Sequence, residues 1–113
     1  MNLLFVEDEE IFYPLMEMLS KKFSFGLFIA GSVAMAKKTI EMEQLDLAII
    51  DYELPDGKGD EVNIYIKEKF PHIKTAISSG HGETLRHSVG YDYSVDKSDF
   101  MNFIKEILKT ANE

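Results

Sequence analysis

Polar side chains that can bind metal ions or phosphate follow four short apolar runs of the sequence. In chain order they are Glu7, Asp8, Asp51, Ser79 and Lys97. If the three carboxylates meet, each pair about 4 Å apart repels by roughly 4 kcal/mol at an effective dielectric constant of about 20. A hard divalent cation relieves such repulsion, and ligands that are all oxygen atoms favour Mg²⁺. These residue types therefore predict a magnesium site.

The same residues suit the transfer of a phosphoryl group, because Mg²⁺ keeps open positions for water and for phosphate oxygens. Asp51 would be the nucleophile and would form an acyl phosphate. Lys97 would supply a second positive charge, and the Ser79 hydroxyl would donate to a phosphate oxygen. Gly80, next in the chain, leaves space for the incoming group. We therefore predict that Asp51 is a phosphate acceptor.

Each of these residues has a plainer interpretation when it is taken alone. Glu7 and Asp8 could simply begin a helix, since acidic residues favour helix N-termini. Asp51 could cap a helix or form a turn, Ser79 could be a cap, and Lys97 could be solvated. Their occurrence together, in this order and directly after apolar runs, favours a shared site.

The elements that must position these residues are short strands that alternate with helices. Continuous apolar runs are typical of strands that are covered on both faces. We predict such strands at Leu3–Val6, Leu27–Ala30, Leu47–Ile50, Thr75–Ser78 and, more weakly, Asp92–Val95.

Helical patterns fill the intervals between these runs. We predict helices over residues 10–22, 32–43 and 59–69, and a last helix over residues 100–111, with Ser98 as its N-cap. Repeats of strand and helix imply a parallel sheet with helices on both faces, and ligands bind such sheets beyond the carboxyl ends of the strands. The first and third strands are neighbours in a doubly wound sheet, so we expect the three carboxylates to converge.

Length and composition restrict the class of protein. The 113 residues, 45% of them hydrophobic, suffice for one domain over residues 1–113 with one core. No run of about 18 apolar residues predicts a membrane span. The start of the chain turns acidic by Glu7, unlike a secretory signal, so we expect a cytoplasmic protein. The absence of cysteine excludes disulfides and thiolate sites. A net charge of −8 with scattered lysines forms no basic stripe, so we expect no direct nucleic-acid binding.

Four segments resemble the receiver domain of two-component response regulators, over nearly the whole chain. LLFVEDEE is similar to the family's first strand and acidic pair, and DLAIIDYELPDGKG to the segment that bears the phosphorylated aspartate. TAISSGHG is similar to the strand that ends in Thr or Ser, and GYDYSVDKS to the strand that ends in lysine. The resemblance implies an α/β fold of the CheY-like, flavodoxin-like (βα)5 type. Its five-stranded parallel sheet would have the order 2-1-3-4-5, here with a short fourth helix.

The resemblance also implies a metal site and a phosphate donor. Asp51 would accept a phosphoryl group from the phosphohistidine of a sensor histidine kinase or a phosphotransfer protein. The side chains of Asp8 and Asp51 and the backbone carbonyl of Glu53 would ligate Mg²⁺. Glu7 would act mainly through a metal-bound water.

The signalling role follows from the same resemblance. Ser79 and Lys97 would contact the phosphoryl group, and phosphorylation would shift a two-state equilibrium. The altered face, made by the fourth helix, the fifth strand and the last helix, would regulate a partner or an output domain and could form a homodimer. The kinase would dock on the first helix, near Ile11–Lys22. Such a domain catalyses only its own phosphorylation and dephosphorylation.

Three features depart from the family pattern. Ser98 replaces the proline after the lysine, and a cis bond before a non-proline residue costs about 3 kcal/mol. We therefore expect a trans bond, or a strained one, at that position. Ser94 stands where the family often has an aromatic residue that rotates inward, while Tyr93 would point to the opposite face. The segment 80–96 is about one helical turn shorter than the family norm, so a short fourth helix must fit within His81–Val89.

Other interpretations stay open. A pseudo-receiver, which binds proteins without phosphorylation, would explain the missing aromatic residue but not the retained acidic cluster. A phosphatase of the haloacid-dehalogenase type needs a second aspartate where Glu53 stands, and a cap domain for which the chain is too short. His81 and Glu53 stand where side chains can affect how water reaches an acyl phosphate; the plainer interpretation is that both are solvated loop residues.

Overall fold

Short strands and longer helices alternate along the chain in the computed structural model, which describes residues 1–80 and 89–111. The strands are β1 Asn2–Val6, β2 Gly26–Ala30, β3 Leu47–Asp51, β4 Glu53–Leu54, β5 Gly57–Lys58, β6 Lys74–Ser79 and β7 Tyr93–Asp96. The helices are α1 Tyr13–Phe23, α2 Val33–Met42, α3 Gly59–Lys69 and α4 Phe100–Ala111. Short 3-10 turns at Glu10–Phe12 and Lys97–Asp99 lead into α1 and α4.

The main sheet has five parallel strands in the order β2-β1-β3-β6-β7. The strands β4 and β5 form a separate two-residue antiparallel hairpin, so β6 and β7 are the fourth and fifth strands of the prediction. The predicted order 2-1-3-4-5 and the flavodoxin-like fold are therefore confirmed. The hairpin was not predicted, because two-residue strands carry no periodic signal.

The sheet is covered on both faces, as its uninterrupted apolar strands require. All five residues of β3 are buried, and successive side chains point to opposite faces. Ala48 and Ile50 pack under α2 and α3, whereas Leu47 and Ile49 pack under α1 and α4. Both hydrophobic layers thus hold β3 rigidly at the centre, and Asp51 is its last residue.

The entry to α4 differs from the sequence prediction. Ser98 is not the capping residue, because it lies inside the 3-10 turn that precedes the helix. That turn is capped by Asp96, whose Oδ1 accepts from the Ser98 backbone N–H at 3.0 Å and from the Ser98 hydroxyl at 2.8 Å. No peptide bond between described residues is cis, so the expected trans bond at Lys97–Ser98 is confirmed.

Two predictions lie outside the described part of the chain. The short fourth helix within His81–Val89 falls almost entirely on residues 81–88, and the side chain of His81 belongs to the same segment. The helix that the sequence predicts as the last one is α4.

Over residues 1–80 and 89–111, no helix has both the length and the apolar character to cross a membrane.

Candidate functional site

The predicted carboxylates meet at the carboxyl edge of the sheet. β1 and β3 are paired neighbours, with Val6 opposite Ile50. The next residues in the chain, Glu7 and Asp51, therefore lie side by side. One carboxylate oxygen from each of Glu7, Asp8 and Asp51 lies within 4.8 Å of the others. Glu7 is fully buried and Asp51 is 8% exposed, whereas Asp8 faces solvent. The sequence-predicted convergence is therefore present.

Lys97 completes the cluster and follows β7, the edge strand of the sheet. The turn after β7 brings its Nζ to 2.7 Å from Glu7 Oε1 and 3.3 Å from Asp51 Oδ1. A third carboxylate, Glu9 Oε1, lies 3.6 Å from the same nitrogen, and the ring of Phe12 lies 4.6 Å away. The sequence reasoning did not single out these last two contacts. The unbroken acidic run after β1 was the only signal for Glu9, and Phe12 gave none.

The charges of the cluster shift the pKa values of its members. Burial, and then the negative charge of Glu7, raise the pKa of Asp51 to about 6, against the attraction of Lys97. Burial also raises the pKa of Glu7, although hydrogen bonds from Lys97 and from the Glu9 backbone N–H act in the opposite direction. Burial alone would lower the pKa of Lys97, but its bonds to Glu7 and Asp51 outweigh burial and raise it. One lysine thus leaves negative charge in excess.

An open cavity of about 390 Å³ lies directly over Asp51. Predicted site residues around it include Asp8, Glu53, Ser79 and Lys97, while the buried carboxylate of Glu7 lies beneath. The Ser79 hydroxyl is buried and has no hydrogen-bond partner among the residues that the structure describes. Within residues 1–80 and 89–111, nothing lies within 4 Å of a Cβ built on Gly80. The cavity therefore offers an unused donor and free space beside the carboxylates.

The start of α3 fixes the backbone of Asp51. The Gly59 N–H donates to Tyr52 O at 2.7 Å, and a Cβ on Gly59 would stand 2.2 Å from Asp51 O. Only glycine allows this approach. The next turn is tied down from another direction, since the Asp56 carboxylate accepts from the backbone N–H groups of Val33 and Ala34 at 2.8 and 3.0 Å. These two bonds cap α2 and hold the pKa of Asp56 below its usual value. The sequence carries no signal for such a distant cap.

The site suits a hard cation. Its candidate ligands are all oxygen atoms, its charge is in excess of what Lys97 neutralises, and Asp8 and Asp51 both face the open cavity. Magnesium prefers a few carboxylate oxygens with remaining positions left for water or phosphate. The donor set that the chain presents fits that preference.

Comparisons with known proteins find relatives over about 70% of the chain. No protein-family model matches the chain. It is 30% identical to the photosynthetic apparatus regulatory protein RegA of Rhodobacter capsulatus over 81 residues, which are 72% of this chain and 44% of RegA. It is 29% identical to the response regulator PilR of Pseudomonas aeruginosa over 79 residues, 70% of this chain and 18% of PilR.

The similarity to a solved structure extends over the full fold. The response regulator TrrA of Thermotoga maritima, solved in complex with Mg²⁺ and BeF, superposes with a TM-score of 0.85. The two share 25% identity, and the match covers 96% of each chain. The chain is a response-regulator receiver domain. Its match spans less than half the length of RegA and a smaller share of PilR.

The receiver domain departs from its family where the sequence indicated. Ser94 is exposed on β7, and Tyr93 points to the other face, where its ring meets Phe103 edge-on at 5.7 Å between centroids. The prediction that Tyr93 faces away from the position of the usual switch is confirmed.

Helix α3 holds residues 90–92, which directly precede β7. Asn63 Nδ2 donates to Gly90 O at 2.8 Å, the Tyr91 hydroxyl donates to Asp60 at 2.9 Å, and Lys67 pairs with Asp92 at 2.6 Å. Since the three α3 residues lie at helical spacing, one face of the helix makes all three contacts.

Proposed function

We propose that this receiver domain accepts a phosphoryl group on Asp51 in a Mg²⁺-dependent reaction. The observation that carries the proposal is a buried aspartate with a raised pKa, 3.3 Å from a lysine ammonium and facing an open cavity. A carboxylate held in this way is costly unless positive charge is added, and phosphoryl transfer needs that same positive charge.

The metal-binding residues in this proposal are those that face the cavity. The carboxylates of Asp8 and Asp51 and the backbone carbonyl of Glu53 would hold Mg²⁺, and Glu7 would contact it through water. Bound there, the cation would neutralise charge on the transferred group. The side chain of Glu53 points to another partner, Lys58, at 3.3 Å, so only its carbonyl is assigned to the metal.

The chemical step is a displacement at phosphorus. A carboxylate oxygen of Asp51 attacks the phosphorus of a phosphohistidine, an O–P bond forms, and the N–P bond to the imidazole breaks. The imidazole leaves with the bonding electron pair and takes up a proton. Lys97 and the buried hydroxyl of Ser79 bind the oxygens of the transferred group. The product is an aspartyl phosphate.

The partners follow from the exposed surfaces. A sensor histidine kinase or phosphotransfer protein would dock on α1, where Ile11 is 79% exposed just before the helix and Met18 is 43% exposed within it. The face of β7, α4 and the segment before β7 would bind an output domain or a partner protein, or a second copy in a homodimer. Residues 1–113 would act as one receiver domain without contacting nucleic acid directly.

Signal transmission would run without an aromatic switch at Ser94. We expect activation to change the segment 81–89, in which the fourth helix was predicted, together with its flanking loops. Amide shifts of that segment, recorded with and without a phosphoryl analogue, test this part of the proposal. Unchanged shifts there in a protein that binds the analogue would contradict it.

Incubation with Mg²⁺ and acetyl phosphate tests the modification itself. The intact mass should gain one phosphoryl group in a form that hydroxylamine removes, as expected of an acyl phosphate. Asp51→Asn should gain none, whereas Glu68→Gln, which removes an exposed charge on α3, should behave as wild type. A wild-type protein that is neither modified nor bound by beryllofluoride would instead fit a pseudo-receiver.

A further inference from the structure

We propose that Glu9 and Phe12 are positioning residues that form a resting seat for the Lys97 ammonium, and that a phosphoryl group on Asp51 draws Lys97 off this seat. The inference rests on the proposed function. It adds a way in which phosphorylation of Asp51 would alter the surface at residues 9–12, which precede α1.

The seat is a compact structure on one short segment. Lys97 Nζ lies 3.6 Å from Glu9 Oε1 and 4.6 Å from the centre of the Phe12 ring. The Phe12 backbone N–H donates to Glu9 O at 3.2 Å, so the 3-10 turn holds the two side chains in a fixed relation. The Glu9 backbone N–H donates to Glu7 Oε2 at 3.2 Å, which anchors the turn to the buried carboxylate.

Lys97 is shared between the seat and the reaction centre. Its ammonium has three donors, and its side chain is only 11% exposed. The partners that the described residues supply all belong to the cluster. Glu7 and Asp51, at 2.7 and 3.3 Å, hold it from the sheet, while Glu9 and Phe12 hold it from the α1 side.

A phosphoryl group on Asp51 changes this balance. It replaces the single negative charge of the Asp51 carboxylate with about two, carried by three acceptor oxygens on the cavity side of the ammonium. Glu9 offers one charge, and its side chain is 60% exposed, so water screens its attraction. The ammonium would therefore turn towards the phosphoryl oxygens and leave Glu9 and Phe12.

The segment that loses Lys97 carries Ile11, which lies between the two seat residues and is 79% exposed. A docked histidine-bearing helical partner would contact this side chain. Release of Lys97 would remove its contacts with the Glu9 and Phe12 side chains, which would then reorient beside Ile11. The partner would therefore hold the phosphorylated domain less tightly than the unphosphorylated one.

Titration with beryllofluoride in the presence of Mg²⁺, followed by NMR, tests the seat. In wild type, the Phe12 ring and Ile11 signals should shift together with the amides of Ser79 and Gly80. Glu9→Gln and Phe12→Leu each remove a competitor for Lys97 and should tighten beryllofluoride binding about twofold to fivefold, as expected for one partly exposed ion pair or cation–π contact. Phe12→Leu makes this change without altering the charge.

The matched control is Glu10→Gln, which removes the same charge from the next residue, one that does not line the cavity. It should leave the affinity within the experimental error of wild type. Equal affinity in all four proteins, or saturation without any shift at Phe12, would overturn the seat while leaving the proposed function standing. No binding by wild type would overturn both.

Discussion

Asp51 is held where its charged form is less favourable than it is in the unfolded chain. Its pKa rises from 3.8 to about 6, first through burial and then through the charge of Glu7. Between those values the folded protein binds more protons than the unfolded chain, so the free energy of unfolding falls as the pH rises through this window. At neutral pH the full cost is present, on the order of 2–3 kcal/mol at about 1.4 kcal/mol per pKa unit.

Removing that charge should therefore stabilise the metal-free protein. We expect Asp51→Asn to raise the free energy of unfolding by about 2 kcal/mol at pH 7. The gain should shrink as the pH falls from about 6 towards 3.8. Urea unfolding at several pH values, with Mg²⁺ removed by a chelator, measures the effect, and Glu68→Gln controls for net charge. A variant less stable than wild type at pH 7 would refute the electrostatic reading of Asp51.

The Ser79 hydroxyl is buried without a partner in the described residues, so its loss should cost the resting protein little. Its loss should matter once a phosphoryl group arrives, because a hydrogen bond to a charged group is worth about 1.5–3 kcal/mol. We expect Ser79→Ala to keep wild-type stability and to weaken beryllofluoride binding about tenfold or more.

The neighbouring Ser78→Ala is the matched control for that experiment. The Ser78 hydroxyl is equally buried and also lacks a partner in the described residues, but Ser78 does not line the cavity. Calorimetric titration of both variants should separate them. A similar loss of affinity in both would assign the effect to β6 packing instead of a bond from Ser79.

Among the elements, α3 begins at Gly59, which lies closer to the backbone of Asp51 than a residue with a side chain could. A Cβ on Gly59 would stand 2.2 Å from Asp51 O and 2.8 Å from a methyl carbon of Ile50. The first of these atoms is backbone and cannot rotate away, so we expect Gly59→Ala to shift α3 and to cost about 1–3 kcal/mol. Thermal unfolding measures this cost. Gly80→Ala adds the same methyl group where no other described residue lies within 4 Å, and it should fold with wild-type stability.

The contacts of α3 with residues 90–92 make a second prediction at this scale. Asn63 is 5% exposed, and its amide donates to Gly90 O at 2.8 Å. Asn63→Ala would leave that carbonyl without its donor, so hydrogen exchange in residues 90–92 should speed up, with an opening free energy lower by about 1–2 kcal/mol. Ile64→Ala, on the exposed side of α3, is the control. Unchanged protection in Asn63→Ala would show that other contacts hold the segment.

These element-scale contacts mark the limit of prediction from sequence. The buried run at β3 and the helical spacing of α4 are local patterns, so both elements were predicted nearly to their ends. The caps supplied by Asp96 and Asp56 depend on where a turn places a carboxylate, and the bond from Asn63 joins residues 27 positions apart. Propensity and periodicity do not encode such distances.

At the scale of the whole molecule, one topological rule brought the site together. The carboxyl ends of parallel strands share an edge, so the positions of Glu7, Asp51, Ser79 and Lys97 in the chain sufficed to predict that they meet. The sequence did not reveal that the Lys97 ammonium contacts Glu7, Asp51, Glu9 and the Phe12 ring. These contacts depend on side-chain torsion angles, and the structure adds them to the site.

The net charge of −8 makes the response to salt a test of the whole molecule. Sodium chloride should stabilise the fold modestly by screening dispersed surface charges. Mg²⁺ should do more, because a ligand of the folded state alone adds about 1.4 kcal/mol at ten times its dissociation constant. For a domain near this size, that gain corresponds to a rise in melting temperature of about 5–10 °C.

The comparison must be made at equal ionic strength, with and without Asp51. Wild type should melt higher in MgCl₂ than in NaCl, because the cation removes the repulsion among the clustered carboxylates. Asp51→Asn should start from a higher melting temperature and lose most of the difference between the two salts. If Asp51→Asn raises the melting temperature in NaCl but reduces the stabilisation by Mg²⁺, then the same three carboxylates both repel each other and bind the cation. Equal shifts in both salts for wild type would mean that the acidic edge is only a solvated surface.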